Sequence, residues 1–536
     1  MLERIFGNRF DRRDLFRGGA IAAAFQSIAG RLGAAELKVG PDIYESIGVT
    51  PIVNCKGTFT IISGSQSLPE VKAAMDQASR HYVHLDELMD AVGKRLAELT
   101  KAEWGMVSAG CAAALSHATA ACIAGADPER LQRLPHSEGL RNEVIAPAYS
   151  RNVYDHAVRG AGGKMITVAT REELINAFNA KTAMVMILAG PGDNGPLGIS
   201  NVSGIAKQHN VPVLVDAAAE RLTIPNVHLN AGATLVAYSG GKCLRGPQTA
   251  GLLLGRKDLI QAAWIHSAPH HSFGRPMKCG KEEIMGMLAA VEAWVKRDHA
   301  AEWQMWEKWL DTISNEAVKV DGVTTEVLQP EGLSNNAPRL VIRWDGEKMG
   351  LTGGEVEKLL YTGTPRIVMG GSSGTRLGGA AASSLTVMPY MMMPGDEKVA
   401  AARIREVLST AAKSPVAPPA APSVNVGGQW DVTIEYVVGK AHHTMFLEQQ
   451  GATLAGSHMG EFLKSDLRGS VEGDTVMARS SHAYEGTRIG YDFEGKAQGD
   501  AITGTVDVGE YGKGKFTAVR HRYGQPGGRA RPVKNV

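Results

Sequence analysis

The chain has 536 residues, 57 Lys and Arg against 55 Asp and Glu for a net charge of +2, and a hydrophobic share of 44%. That length allows roughly two to four domains at about 150 residues each, and the hydrophobic share excludes a disordered chain. The 63 glycines follow no three-residue period, which excludes collagen, and the near-neutral charge supplies no basic field for nucleic acid. Cys55, Cys111, Cys122, Cys243 and Cys279 form no C-x-x-C pair, so neither a zinc knuckle nor a dense disulfide scaffold is expected, and no metal site is assigned. After the N-terminus no apolar run reaches a membrane-spanning length, so no membrane span is expected.

Residues 1–35 read as an export segment. Asp11-Arg12-Arg13-Asp14-Leu15-Phe16-Arg17 precedes a short apolar stretch and the small residues Gly33, Ala34 and Ala35, the layout of a twin-arginine signal. Periplasmic or exported location follows from it, and a cytoplasmic one if the segment is not a signal. From 36 to 300 short apolar runs alternate with helical stretches. Gly105–Ser108, Val144–Ala146, Met165–Val168, Met184–Leu188 and Val213–Asp216 read as strands, and Arg171 to Asn179 and Ile205 to Asn210 as helices. Continuous apolar strands between helices predict a mostly parallel sheet covered on both faces. Residues 301–412 read as a smaller α+β domain, with Trp303, Trp306 and Trp309 as a packing stripe and a helix from Glu397 to Leu408. Residues 413–426 are a Pro/Ala linker, 427–524 an antiparallel meander forming a small barrel or sandwich, and 525–536 a flexible tail.

Three features of the large domain carry chemistry. Val213-Leu214-Val215-Asp216 is an apolar strand ending in an acid at the edge where open α/β sheets bind ligands. Tyr238-Ser239-Gly240-Gly241-Lys242 sets a lysine among glycines after a strand, where its amine can approach a ligand closely. Ser108-Ala109-Gly110-Cys111-Ala112 is a strand-to-helix turn whose amides suit a phosphate. Phosphate cup, acid and lysine in that chain order are the layout of a pyridoxal phosphate enzyme of the aspartate aminotransferase fold. The lysine amine makes a Schiff base with the cofactor, and the acid keeps a proton on its pyridine nitrogen. No G-x-G-x-x-G after the first strand and no G-x-x-x-x-G-K-[ST] competes with this reading.

The sequence resembles the branch of these enzymes that holds selenocysteine synthase (seryl-tRNA selenium transferase) and the D-glucosaminate-6-phosphate ammonia lyases. The resemblance runs from about Ile43 to Leu408. It rests on Tyr44-Glu45-Ser46-Ile47-Gly48-Val49-Thr50-Pro51, Arg151-Asn152-Val153-Tyr154-Asp155-His156, Asp216-Ala217-Ala218-Ala219-Glu220, Lys242-Cys243-Leu244-Arg245-Gly246-Pro247-Gln248 and Met277-Lys278-Cys279-Gly280-Lys281. It implies fold type I, with a large domain, a small α+β domain and, here, an appended β domain. It makes Lys242 the Schiff-base lysine and Asp216 the pyridinium partner, with Ser108, Gly110, Cys111, Ala112 and Ser239 around the cofactor. Two positions depart from the pattern. Ser150 stands where relatives often carry a histidine, which leaves the ring-stacking residue open, and Gly241 stands where the selenium transferases have Asp.

For a substrate carboxylate the candidates are Arg366, with Thr58 and Arg245 as further substrate contacts. His266, His270 and His271 read as a loop, Lys278 and Lys281 as helix-start lysines, and Cys111 as a small residue of the turn. The expected reaction is α-proton abstraction and β-elimination on a small amino acid or amino sugar acid, giving a keto acid and ammonia. Alternatives are a seryl-tRNA transferase, a racemase or aldolase, and a cofactor-bearing binding protein without catalysis. A homo-oligomer, a dimer or a larger even assembly, is expected from the resemblance.

Overall fold

A computed structural model describes residues 37–190, 192, 194–375, 379–410 and 420–523. The export segment, residues 413–419 of the Pro/Ala linker and the C-terminal tail lie outside these residues. The described chain falls into two compact units. One holds the residues up to Gly57, Trp306–Leu328 and the stretch from Arg339 to 410; the other holds Thr58–Met305, Gln329–Pro338 and 420–523. No helix among the described residues is long and apolar enough to cross a membrane.

The second unit is built on a seven-stranded sheet: β1 (Trp104–Ser108), β2 (Glu143–Pro147), β3 (Lys164–Val168), β4 (Thr182–Leu188), β5 (Val213–Asp216), β6 (Leu235–Ser239) and β7 (Gly251–Gly255). The spatial order is β1-β7-β6-β5-β4-β2-β3, parallel except for β7, which is antiparallel to both its neighbours. Met184, Val185, Ile187, Leu214, Val215, Leu235 and Val236 have essentially no exposed surface, because helices cover both faces; this is why the strands read as unbroken apolar runs. The helices that matter below are α1 (Cys111–Ala124), α2 (Asp155–Gly160) and α3 (Lys281–Lys296). One expected helix start moves: the helix read from Ile205 runs Ile199–Gln208, because Gly198, extended at φ −71°, starts it a turn and a half earlier.

The other unit carries a four-stranded antiparallel sheet in the order Gly371–Thr375, Gly379–Val387, Arg339–Trp344, Thr324–Leu328. Val53–Cys55 pairs in parallel with Ile367–Met369. Helix Gly353–Thr362 starts with a reciprocal capping box between Thr352 and Glu355, and helix Asp396–Thr410 closes the unit. The tryptophan stripe packs as expected: Trp309 is buried and Trp306 meets Tyr390 edge-on at 6.4 Å.

Eight strands of the C-terminal meander close into a barrel: β8 (Gly428–Glu435), β9 (Lys440–Gln450), β10 (Thr453–Met459), β11 (Lys464–Glu472), β12 (Thr475–Tyr484), β13 (Thr487–Gln498), β14 (Ala501–Asp507) and β15 (Lys513–Arg520). Each strand pairs antiparallel with the next, and β8 pairs with β15 from Trp430↔Arg520 to Glu435↔Lys515, so no edge is left open. Along β8 the inward side chains Trp430, Val432 and Ile434 are buried while Asp431 and Glu435 face out.

The barrel interior also holds a histidine cluster. His443 Nδ1 meets His458 Nε2 at 2.8 Å, His458 Nδ1 meets the Ser480 hydroxyl at 2.7 Å, and His482 Nε2 reaches the His458 carbonyl at 3.2 Å. The His458 ring lies 4.9 Å from Tyr491 and 5.3 Å from Phe493. A hydrogen bond between two imidazole nitrogens needs one donor and one acceptor, so the His443–His458 bond requires an unprotonated nitrogen. Burial, with His443 and His482 beside it, pushes His458 down to about 3, and burial lowers His443 and His482 as well. A histidine that stays neutral in the fold but protonates when unfolded contributes stability above its unfolded value. That contribution is lost as pH falls below about 6.5 and continues to fall towards the folded value, by roughly 1.4 kcal/mol per pH unit for His458. Amides of β10 followed by hydrogen exchange therefore lose protection between pH 7 and pH 4.5, and His458→Leu flattens that dependence.

Candidate active site

The site is assembled at the C-terminal edge of the parallel strands. Asp216 ends β5, 1% exposed, in register with Leu188 of β4 and Ala237 of β6. Its Oδ1 accepts the Ala218 amide at 3.0 Å and the Cys111 thiol at 3.8 Å, while Oδ2 accepts no hydrogen bond from the described residues. Burial raises the Asp216 carboxyl above its usual range; the Ala218 amide and then the positive charge of Lys242 pull it back. Burial and the neighbouring carboxylate push the Cys111 thiol well up, so it stays an S–H donor rather than a nucleophile.

Cys111 opens α1. Gly110 before it sits at φ +90°, and no side chain caps the helix. A Cβ at Gly251 of β7 would stand 2.3 Å from the Gly110 carbonyl carbon and 2.5 Å from the Cys111 nitrogen, so only glycine lets the turn lie this close to the sheet. Ser108 is fully buried and its hydroxyl donates to the Gly110 carbonyl at 2.9 Å, which fixes the turn. The amides of Cys111, Ala112 and Ala113 head the helix, the arrangement that attracts an anion.

Lys242 lies in the turn after β6, and the turn is anchored from two sides. Gln248 Nε2 donates to the carbonyls of Ser65 and Gly241 at 2.8 and 3.1 Å and to the Ser65 hydroxyl at 2.9 Å, and that hydroxyl donates to the Gly241 carbonyl at 2.9 Å. Arg297, beyond α3, donates to the Cys243 carbonyl at 3.2 Å, and the Cys243 thiol donates to the Glu220 carbonyl at 3.1 Å. Glu220 is itself buried against His228 at 2.5 Å. The Lys-x-x-x-Gly-Pro-Gln string thus has a mechanical reason: its last residue clamps the peptide beside its first. Ser239 closes β6, half-buried, three residues before the lysine.

The remaining sequence candidates separate. Arg245, at φ +53°, donates from Nε to the Gln66 carbonyl at 3.0 Å, and burial, then the charge of Arg297, lowers it. Thr58 is half-buried at the start of this unit. Arg366 belongs to the other unit, with its guanidinium 5.1 Å from the Tyr361 ring. The three histidines do not converge: His266 Nε2 meets the Gly125 carbonyl, His270 Nδ1 meets the Trp264 carbonyl, and the His271 carbonyl takes the Gln132 amide. Ser150 is buried and its hydroxyl accepts the Leu188 amide at 3.0 Å, so it braces the strand that pairs with Asp216 and is not a ring-stacking group. Gln248, Arg297 and Tyr154 are the residues that sequence reasoning passed over as site components. Burial raises the Tyr154 hydroxyl, and the charge of Asp216 adds to it.

With this geometry in view, comparison with known proteins is informative. No family model matches the chain. The sequence is 28% identical over 389 residues to D-glucosaminate-6-phosphate ammonia lyase of Salmonella typhimurium, a match covering 69% of this chain and 99% of that protein. It is 29% identical over 386 residues to 5'-C-glycyluridine monooxygenase-decarboxylase of a Streptomyces, covering 68% and 92%. It is 25% identical over 294 residues to L-seryl-tRNA(Sec) selenium transferase of Proteus mirabilis, covering 48% and 59%. The solved structure of D-glucosaminate-6-phosphate ammonia-lyase superposes with a TM-score of 0.60 at 28% identity, over 69% of this chain and 99% of that one. The fold is therefore that of the fold-type-I pyridoxal phosphate enzymes, followed by a closed β-barrel. Within that class the chain resembles the glucosaminate ammonia lyases and the selenium transferases, as its motifs imply.

Replacing Gln248 by Ala removes the clamp while leaving the Ser65 and Gly241 carbonyls in place. Each lost hydrogen bond is worth about 1 kcal/mol. Gln248→Ala is expected to lower the thermal midpoint by a few degrees and to raise amide exchange across Gly240–Gly246, measured by calorimetry and exchange mass spectrometry.

Proposed function

We propose that the chain is a pyridoxal phosphate-dependent lyase of the ammonia-lyase type, acting on a small amino acid or amino sugar acid. The observation that carries this is Asp216. A buried carboxylate accepts the Ala218 amide and the Cys111 thiol on one oxygen and has no donor to the other among the described residues, at the sheet edge where α1 begins without a side-chain cap. The residues fit the cofactor: Asp216 Oδ2 would face the pyridine nitrogen, the amides of Cys111 to Ala113 would take the phosphate, and Lys242 Nζ would hold the aldehyde carbon. Ser239 completes the cofactor's surroundings.

When bound, pyridoxal phosphate supplies an electron sink conjugated with the substrate's α-carbon. The chain supplies the rest. Asp216 would keep a proton on the pyridine nitrogen and, paired with it, would stay ionised. Lys242 Nζ would hold the aldehyde carbon at rest and, once freed by the substrate, would take the α-proton. Its turn is clamped by Gln248 and Arg297, so the amine returns to one place. The overall reaction would be loss of a β-substituent and of the α-proton, with water consumed, to give a keto acid and ammonia. For the substrate carboxylate the resemblance offers Arg366, since planar guanidinium matches it in a bidentate pair; Thr58 and Arg245 are proposed separately as substrate contacts of the unit that carries Asp216 and Lys242. The reading includes a homo-oligomer, from the resemblance, and export by the twin-arginine route, from Arg12-Arg13 and the stretch that follows.

The purified protein is expected to show a visible cofactor band, and a panel of L- and D-amino acids and amino sugar acids, D-glucosaminate among them, to reveal keto acid release. Lys242→Ala abolishes turnover. If that variant keeps both its activity and its native absorbance, the assignment fails. Asp216→Asn removes a charge-assisted hydrogen bond worth about 1.5–3 kcal/mol, and is expected to weaken cofactor binding by about 10- to 150-fold in equilibrium dialysis.

A further inference from the structure

The barrel does not stand clear of the site. Its strands β12 and β13 meet in a turn at Glu485-Gly486, with Glu485 at φ +52°. That tip seats on the segment Arg151–Arg159. Arg151 is bound by Glu485, by Thr167 and, at 2.5 Å, by Asp155. A Cβ at Gly486 would lie 2.2 Å from the Asn152 carbonyl oxygen and 2.5 Å from its nitrogen, so the two backbones run in contact. The Arg159 guanidinium lies 5.6 Å from the Tyr484 ring.

The segment under the tip is tied to both halves of the candidate site. Ser150, just before it, accepts the Leu188 amide, and Leu188 is the register partner of Asp216. At the other end, the Ala157 carbonyl of α2 accepts the Ser116 hydroxyl of α1, the helix whose N-terminus forms the anion cup. Tyr154 lies between these two ties and is half-exposed.

We propose that the barrel is a wall of the active-site mouth: the Tyr484–Gly486 tip, seated on Arg151–Arg159, covers the segment tied to the Asp216 strand pair and to α1, and limits passage to small free substrates, excluding one carried on a macromolecule. The size limit rests on the pyridoxal phosphate reading; the seat itself does not.

Two variants unseat the tip without touching the cofactor residues: Gly486→Val, which forces side-chain atoms into the Asn152 backbone, and Glu485→Lys, which sets a cation against Arg151. Exchange mass spectrometry on the full protein is expected to show faster exchange over 151–159 in both, with the strands of the barrel unchanged. With bound cofactor, attack by a hydrazide carried on the end of a polyethylene glycol chain, read at the visible band, is expected to accelerate about tenfold or more, while attack by free hydroxylamine changes by less than about twofold. Faster exchange with no change in the rate of the polymer-borne hydrazide overturns the wall. Unchanged exchange in both variants overturns the seat as well. If the unaltered protein binds no pyridoxal phosphate, the cofactor reading fails and the size limit with it, and the seat is judged on exchange alone.

Discussion

A carboxylate buried at the end of β5 has to remain able to ionise, and most of the second unit's local structure serves that requirement. Water would stabilise the charge of Asp216; the fold has removed it and raised the carboxyl. Two replacements offset the loss, the Ala218 amide in the turn that follows and the positive charge of Lys242. Cys111 contributes a neutral donor, because a thiolate beside Asp216 would cost far more than a thiol. The acid is held short of full satisfaction by protein groups alone, which is the condition of a site built to receive a charged partner.

A lysine can serve such an acid only if its turn is rigid, since four rotatable bonds already separate the amine from the backbone. The turn after β6 is held by Gln248 from within and by Ser65 and Arg297 from elsewhere in the fold. Glu220 and His228 fill the space behind it as a buried hydrogen-bonded pair, and the Glu220 carbonyl fixes Cys243. Specificity of position is bought with polar groups that are each paired, so little of the cost of burying them remains.

The apolar strands were legible because both faces of a parallel sheet are covered, which turns burial into unbroken hydrophobic runs such as Val213–Val215. Asp216 and Lys242 stood out against those runs and their glycines. What supports them was not legible: Gln248 and Ser65 are 183 residues apart, and no local pattern ties them. Ser150 looked like a substitution at a stacking position, whereas its partner is a backbone amide 38 residues on. The barrel's strands showed in their alternation, but closure depends on β8 finding β15, a pairing that periodicity cannot express. The histidine cluster was hidden for the same reason, its three members lying on separate strands.

A closed barrel has no strand edge to offer, so whatever it does for a neighbour it must do through its turns. The β12–β13 turn reaches Arg151 with contacts of modest strength. Glu485 is partly exposed, and such ion pairs contribute about 1 kcal/mol or less, as does an exposed cation–π contact. Arg151 also keeps Asp155 and Thr167 when the tip departs, so leaving strands no buried charge. A contact that is geometrically close at Gly486 yet energetically light is held in place by backbone fit more than by charge, so a wall made this way is set by the shape of the β12–β13 turn.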